Sequence, residues 1–286
     1  MTPIVARTGS QLRMPAFITR DKGGLTGTVL LAVIVLAAIL GPEFAPHPST
    51  AILGAPGHGP AAGAPLGLDF IGRDVFSRLL DGGRSTLLMG AAATFFIYLV
   101  GIAVGLTAGY AQSVADALLM RTVDIFLSFP ALLVMLLFVT AFGGGPVVLV
   151  GAAALVLFPG VARIVRTATA EVMTRSFVEA AISWGERSVA IMRREVLPNI
   201  TAPVVADLGI RFSWAIILIA SVNYLGLGLK PPTADWGLMI SENRGIISSN
   251  PVSVLAPAAT LALLVIAVNL IGDAYIRQLG RSGDGR

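Results

Sequence analysis

Side chains able to do chemistry are few in this chain, and their spacing excludes most of it. The 286 residues contain no cysteine and two histidines, which rules out disulfides, thiol nucleophiles and thiolate metal sites. His47 and His58 sit among Pro and Gly with no carboxylate at ligand spacing, and read as solvated loop histidines. No Gly-x-x-x-x-Gly-Lys-Ser/Thr occurs, and both lysines, Lys22 and Lys230, lie in the wrong context. The chain therefore cannot cradle nucleotide phosphates itself. No nucleophile stands beside a base. Catalytic, cofactor-binding and metal-ligating residues are all expected to be none. What remains is charge at helical spacing: Asp207 and Arg211 one turn apart, and Glu171, Arg175 and Glu179 four apart, an alternating-sign ladder.

These residues are carried by an apolar chain. It is 55% hydrophobic and 13% charged, with mean hydropathy +0.84, against roughly 25% charged residues in a soluble domain. The fold class expected is all-α, a polytopic membrane protein. A net charge of +4 reads as basic loops beside a membrane, not as a nucleic-acid surface.

Six spans are expected, near 25–41, 87–110, 130–142, 147–164, 202–225 and 253–271. Residues 1–24 form a polar lead, with a signal peptide as the alternative reading of the first apolar run. Residues 42–86 form a long loop in which Asp69, Arg73, Asp74 and Arg78 can pair locally and Val75, Phe76, Leu79 and Leu80 make an apolar stripe. Asp116, Arg121 and Asp124 fall in a short loop after the second span. Gly101, Gly105 and Gly109 permit close helix packing in lipid, or are merely tolerated there. Pro231-Pro232 reads as a rigid turn and Trp236 as an interfacial anchor. Asp207 and Arg211 read as an internal ion pair, with a gating role as the alternative. Residues 274–286 form a tail.

Residues 170–199 are the polar connector between two apolar runs. Met173, Phe177, Ala180, Ala181 and Trp184 share one helical face, and Gly185 interrupts as a C-terminal glycine would. A second stripe, Val189, Met192 and Val196, runs to Pro198. The pattern is a helix–turn–helix whose apolar stripe needs a partner surface.

Glu179-Ala180-Ala181, Gly185 and Leu197-Pro198, at that spacing, resemble the coupling loop of ABC importer permeases, with Glu195 where the family carries an aliphatic residue. Residues 67–80 (GLDFIGRDVFSRLL), 120–130 (MRTVDIFLSFP) and 224–239 (YLGLGLKPPTADWGLM) resemble signatures of the dipeptide, oligopeptide and nickel subfamily, and Gly272-Asp273 keeps the start of a fourth. Together these resemble the second, C-type, permease of a pair. The resemblance implies that Phe177, Glu179, Ala180, Ala181, Trp184, Gly185, Leu197 and Pro198 couple the chain to an ATPase. It implies a homologous permease, two ATPase subunits carrying ATP and Mg, and an extracytoplasmic substrate-binding protein as partners. The location implied is the cell membrane of a prokaryote. No resemblance assigns the substrate pathway.

Of the twenty Lys and Arg, five (Arg73, Arg78, Arg84, Lys230 and Arg244) fall in the proposed outside segments, leaving fifteen inside. That bias predicts both termini and residues 170–199 in the cytoplasm. The expected function is the pore-forming subunit of an ATP-driven importer of peptides or similar small solutes, working by alternating access. The alternatives are a passive channel or ion-coupled secondary transporter, and a membrane-embedded enzyme.

Overall fold

The computed structural model describes residues 21–61 and 63–283, with side chains as far as Gln278. The expected lead 1–24 lies outside it up to residue 20, as does the last part of the tail, 284–286. Among the described residues the chain is helical, and its only β pairing is three isolated bridges in the loop before the second helix.

Helix α1 (Lys22–Leu40) starts at Asp21, whose carboxylate accepts from the Gly23 amide at 2.9 Å. Helix α2 (Val75–Ala111) starts at Asp74, which accepts from the Phe76 and Ser77 amides. The cap explains why α2 begins twelve residues before the expected span at 87. Its first turns stand beyond the apolar run and end the 42–86 loop early. Asp74 is thereby committed to the cap and does not pair with Arg78.

The expected short loop at Asp116–Asp124 is instead helix α3 (Val114–Ser128). Phe129 is extended, as a residue before proline is driven to be, and α4 (Ala131–Phe142) leaves at 87° to α3. Twelve residues of helix reach about 18 Å, short of a hydrocarbon core of about 30 Å. The stretch 130–142 therefore does not cross alone. Helix α5 (Pro146–Met173) follows, then α6 (Ser176–Ser183). The segment 188–199, α7, includes a π-helical stretch at Met192–Val196. Helices α8 (Thr201–Tyr224), α9 (Trp236–Asn243) and α10 (Val252–Gly283) complete the chain. The expected tail at 274 is thus a continuation of the last helix through Gly283.

Among the described residues five helices, α1, α2, α5, α8 and α10, are long and apolar enough to cross a membrane. The sixth crossing follows from the seam between α2 and α5. A Cβ added at Gly101, Gly105 or Gly109 would stand 2.7, 2.6 and 2.6 Å from the Cβ atoms of Val161, Val165 and Thr169. The contacts advance together along both helices, so α2 and α5 run parallel, side by side. The chain must return the length of the seam between them, and α3 with α4 makes that return as one broken span. Arg166 grips Asp116 through two bonds (2.5 and 2.6 Å) and Arg163 meets Asp124 at 2.5 Å. These pairs hold α3 against α5 and account for charges that local spacing assigned to a loop.

Trp236 is 3% exposed and is not an interfacial anchor. Its ring packs among Ile34, Val75, Ile216 and Met239, and its indole N–H donates to the Leu79 carbonyl at 2.8 Å. Asp21 meets Arg277 at 2.7 Å, so the start of α1 and the far part of α10 lie at one end of the bundle.

Candidate functional site

The segment after α5 is built from an anchored inner face and an open outer one. The helix breaks at Thr174–Arg175, where the Thr174 hydroxyl bonds back to the Glu171 carbonyl at 2.8 Å. Arg175 then becomes the N-cap residue of α6 with extended backbone. The break cuts the charge ladder in half. Glu171 and Arg175 pair at 3.2 Å on an exposed surface, and no pair joins Arg175 to Glu179. Glu179 is exposed, with no ion pair among the described residues. An exposed pair of this kind contributes at most about 0–1 kcal/mol.

Helix α6 ends in a six-to-one closure. The Glu186 amide donates to the Ala181 carbonyl at 3.2 Å and the Gly185 amide to the Ile182 carbonyl at 2.9 Å. This is the Schellman arrangement, which needs a left-handed residue after the cap. Gly185 supplies it with φ +76°. Nothing lies within 4 Å of where its Cβ would be, so backbone conformation alone excludes a side chain there. Beyond the turn, Pro198 has no N–H to return to the Arg194 carbonyl, and α7 widens into its π-turn just before it.

The stripe expected on one face is divided by the fold. Val178 and Ala181 of α6 and Ile191 and Val196 of α7 turn inward and join the main core, with Leu197 packed on it. Phe177, Ile182, Trp184 and Val189 turn outward, Trp184 at 82% and Val189 at 69% exposed. Ala180 is half-buried and Pro198 exposed. A cavity of about 340 Å³ bordered by Glu171, Arg175, Phe177, Asn199 and Pro203 opens where α6 meets α5 and α8. The arrangement offers no reacting group. It offers a short rigid helix pair with large apolar side chains and the exposed carboxylates of Glu179 and Glu186, which have no ion pair among the described residues.

Residues 101–282 match the family described as the inner membrane component of binding-protein-dependent transport systems. The chain belongs to that family. It is the permease type of subunit, of the ABC importer class. It is 36% identical over 260 residues to the di/tripeptide transport system permease protein of Pseudomonas aeruginosa, covering 88% of this chain and 86% of that one. It is 33% identical over 256 residues to the glutathione transport system permease protein of Escherichia coli, covering 89% and 84%. Its fold is similar to that of the inward-facing MetNI methionine ABC transporter, with TM-score 0.58, 24% identity, and coverage of 70% of this chain and 95% of that one.

Two further polar sites of the permease lie outside the segment after α5. Between α2 and α8, part-buried, Arg211 Nε donates to Asp207 Oδ2 at 2.8 Å and the Tyr98 hydroxyl donates to the same oxygen at 3.1 Å. The Arg211 guanidinium lies over Gly160, where any side chain would collide with it. The expected pair is present, and Tyr98 of α2 is the partner that local spacing could not supply.

At the N-terminal end of α2, Asp69 accepts from Arg73 Nε and Arg78 Nη1, both at 2.7 Å, and Glu242 of α9 joins the same two guanidiniums at 3.3 and 2.6 Å. All four side chains are buried. Burial pushes the Asp69 carboxyl up, but the amides of Arg73 and Ile71 and the Arg73 guanidinium outweigh it and hold the carboxyl below its ordinary value. Nearby Asp235 caps α9 and accepts from Thr86, Asn223 and the Leu238 amide at 2.7, 2.8 and 3.1 Å. There burial dominates and pushes the carboxyl up. Glu242, Asn223 and Thr86 went unrecognised in the sequence because each meets its partner across a long chain separation or within an apolar run.

Proposed function

We propose that this permease pairs with a homologous permease to form the pathway of an importer for short peptides or peptide-like solutes. Two ATPase subunits carrying ATP and Mg drive it, and an extracytoplasmic binding protein delivers the solute. Both termini and the segment 170–199 face the cytoplasm, in the inner membrane of a prokaryote. Phe177, Glu179, Ala180, Ala181, Trp184, Gly185, Leu197 and Pro198 form the contact with the ATPase, and hydrolysis takes place in that partner. Peptide as the solute class rests on the names of the relatives.

The observation that carries this reading is the outer face of α6 and its turn. A soluble surface does not keep a tryptophan at 82% exposure beside exposed Phe177, Ile182 and Val189 without something to cover them. The inner face is locked to the core. A push on the outer face therefore moves α5 and α8 as rigid bodies, which is what alternating access requires.

The test is uptake and substrate-stimulated ATP hydrolysis by the reconstituted complex, with ATPase retention on a pull-down. Gly185→Val forces a β-branched residue into a left-handed turn at a cost on the order of 1–2 kcal/mol. Glu179→Ala removes a carboxylate that has no ion pair among the described residues and acts locally only through the first turn of α6. Both are expected to abolish or strongly lower uptake while leaving membrane insertion intact. Normal uptake in both would sink the assignment. A passive channel or ion-coupled carrier would transport with no ATPase bound.

A further inference from the structure

Helix α3 carries a polar file that the fold leaves bare. Arg121, Asp124 and Ser128 follow one another at helical spacing along one face, and all three are exposed. Val123, on the other side of the helix, is buried against Phe158 and Ala162 of α5. Arg163 of α5 donates through one nitrogen to one oxygen of Asp124 at 2.5 Å, and the two side chains remain 54 and 56% exposed. Among the described residues no hydrogen bond or ion pair engages Arg121. With Arg163 included, this face presents two guanidiniums, one carboxylate and a hydroxyl.

Depth along the bundle excludes lipid as its cover. Gly101, Gly105 and Gly109 face Val161, Val165 and Thr169, so Arg163 stands level with Ala103 of α2. The apolar run of α2 continues to Tyr110, which puts Arg163 about 10 Å inside the end of that run. The contacts of α3 climb α5 from there. Asp116 meets Arg166, Asp124 meets Arg163, and Phe126 packs on Phe158 with ring centroids 5.7 Å apart. Helix α3 therefore ends near the middle of the bundle, and the chain breaks at that depth. Ser128, Phe129 and Pro130 are exposed, and no backbone bond closes the cap at Phe129 among the described residues. Open carbonyls, an exposed ion pair and an unpaired guanidinium at hydrocarbon depth require water or a polar ligand, because acyl chains satisfy none of them.

We infer that Arg121, Asp124 and Ser128, with Arg163 and the break at Phe129 and Pro130, form a wall of the solute pathway that holds both charged ends of a zwitterionic short peptide. The carboxylate seats on Arg121 and the remaining nitrogens of Arg163, and the ammonium on the second oxygen of Asp124. The ends of a dipeptide lie at most about 7 Å apart, and side chains one turn apart on a helix stand about 5–6 Å from each other. A neutral solute or a metal cation would leave the two guanidiniums unmatched. This rests on the peptide-importer reading above.

The experiment uses the whole complex with its binding protein, and labelled dialanine as the probe. In proteoliposomes, Arg121→Gln is expected to lower dialanine uptake per ATP hydrolysed about tenfold. Arg121→Lys, which keeps the charge, should restore most of it. In nanodiscs, Ser128→Cys gives the chain its one thiol, which should react with a charged methanethiosulfonate and react more slowly when the binding protein delivers dialanine. Native uptake per ATP in Arg121→Gln overturns the inference alone. So does a Ser128→Cys thiol that stays unreactive with and without ATP, as it would beneath lipid or the partner permease. A native complex that takes up no dialanine, or takes it up without ATP, overturns the peptide-importer reading and this one with it.

Discussion

Asp207 and Arg211 form a part-buried ion pair between helices, and their value lies in being satisfied together. Arg211 covers Gly160 of α5 while Asp207 binds Tyr98 of α2, so one ion pair fixes α8 against two helices. Removing one member leaves the other charged and largely shielded from water, a change that costs less than the about 3–5 kcal/mol of a fully buried pair. Arg211→Met and Asp207→Asn should therefore each lower the thermal midpoint of the purified permease sharply. Tyr98→Phe, which loses one hydrogen bond, should cost only about 1 kcal/mol. Equal midpoints for Arg211→Met and Tyr98→Phe would show that the pair is already solvated. Gly185 obeys a different rule: nothing crowds it, and its left-handed φ alone demands glycine.

Among the elements, the α2–α5 seam is the one the bundle rests on. Gly101, Gly105 and Gly109 let the backbones approach where Val161, Val165 and Thr169 stand. Gly105→Leu would push a branched side chain into Val165 and the Ala162 carbonyl, and overpacking of this kind costs roughly 1–3 kcal/mol. The expected result is a lower yield of assembled complex, read by size-exclusion after membrane extraction. Val165→Ala, which removes the branched carbons facing Gly105, should recover part of it. Native yield with leucine at both Gly101 and Gly105 would show that the seam tolerates bulk. Helix α6 shows the same dependence on neighbours. Its amphipathic face was legible, but packing on α7 decided which half of the apolar stripe is buried.

For the whole molecule, the parallel run of α2 and α5 and the return through α3 and α4 give six crossings, with the start of α1 and the far part of α10 tied by Asp21 and Arg277. Topology can be tested cleanly because the chain has no cysteine. A cysteine at Ser49 should react with an impermeant maleimide applied to intact cells, and one at Ser188 only after permeabilisation. The reverse pattern would invert the permease in the membrane and move both the coupling segment and the loop between α1 and α2 to the wrong sides.

The sequence alone determined the apolar runs, the polar segment between α5 and α8, the breaks at Gly185 and Pro198, and the Asp207–Arg211 pair. Each is written in hydropathy, φ preference or one-turn spacing, all properties of near neighbours along the chain. The tertiary structure alone decided that Glu242 completes the Asp69 cluster, that Trp236 is buried, that Asp116 and Asp124 lie on a helix gripped by α5, and that Trp184 faces outward while Val178 faces in. These contacts join residues far apart in sequence or choose between two faces of one helix, and a local pattern cannot rank such choices until the packed neighbours are in place.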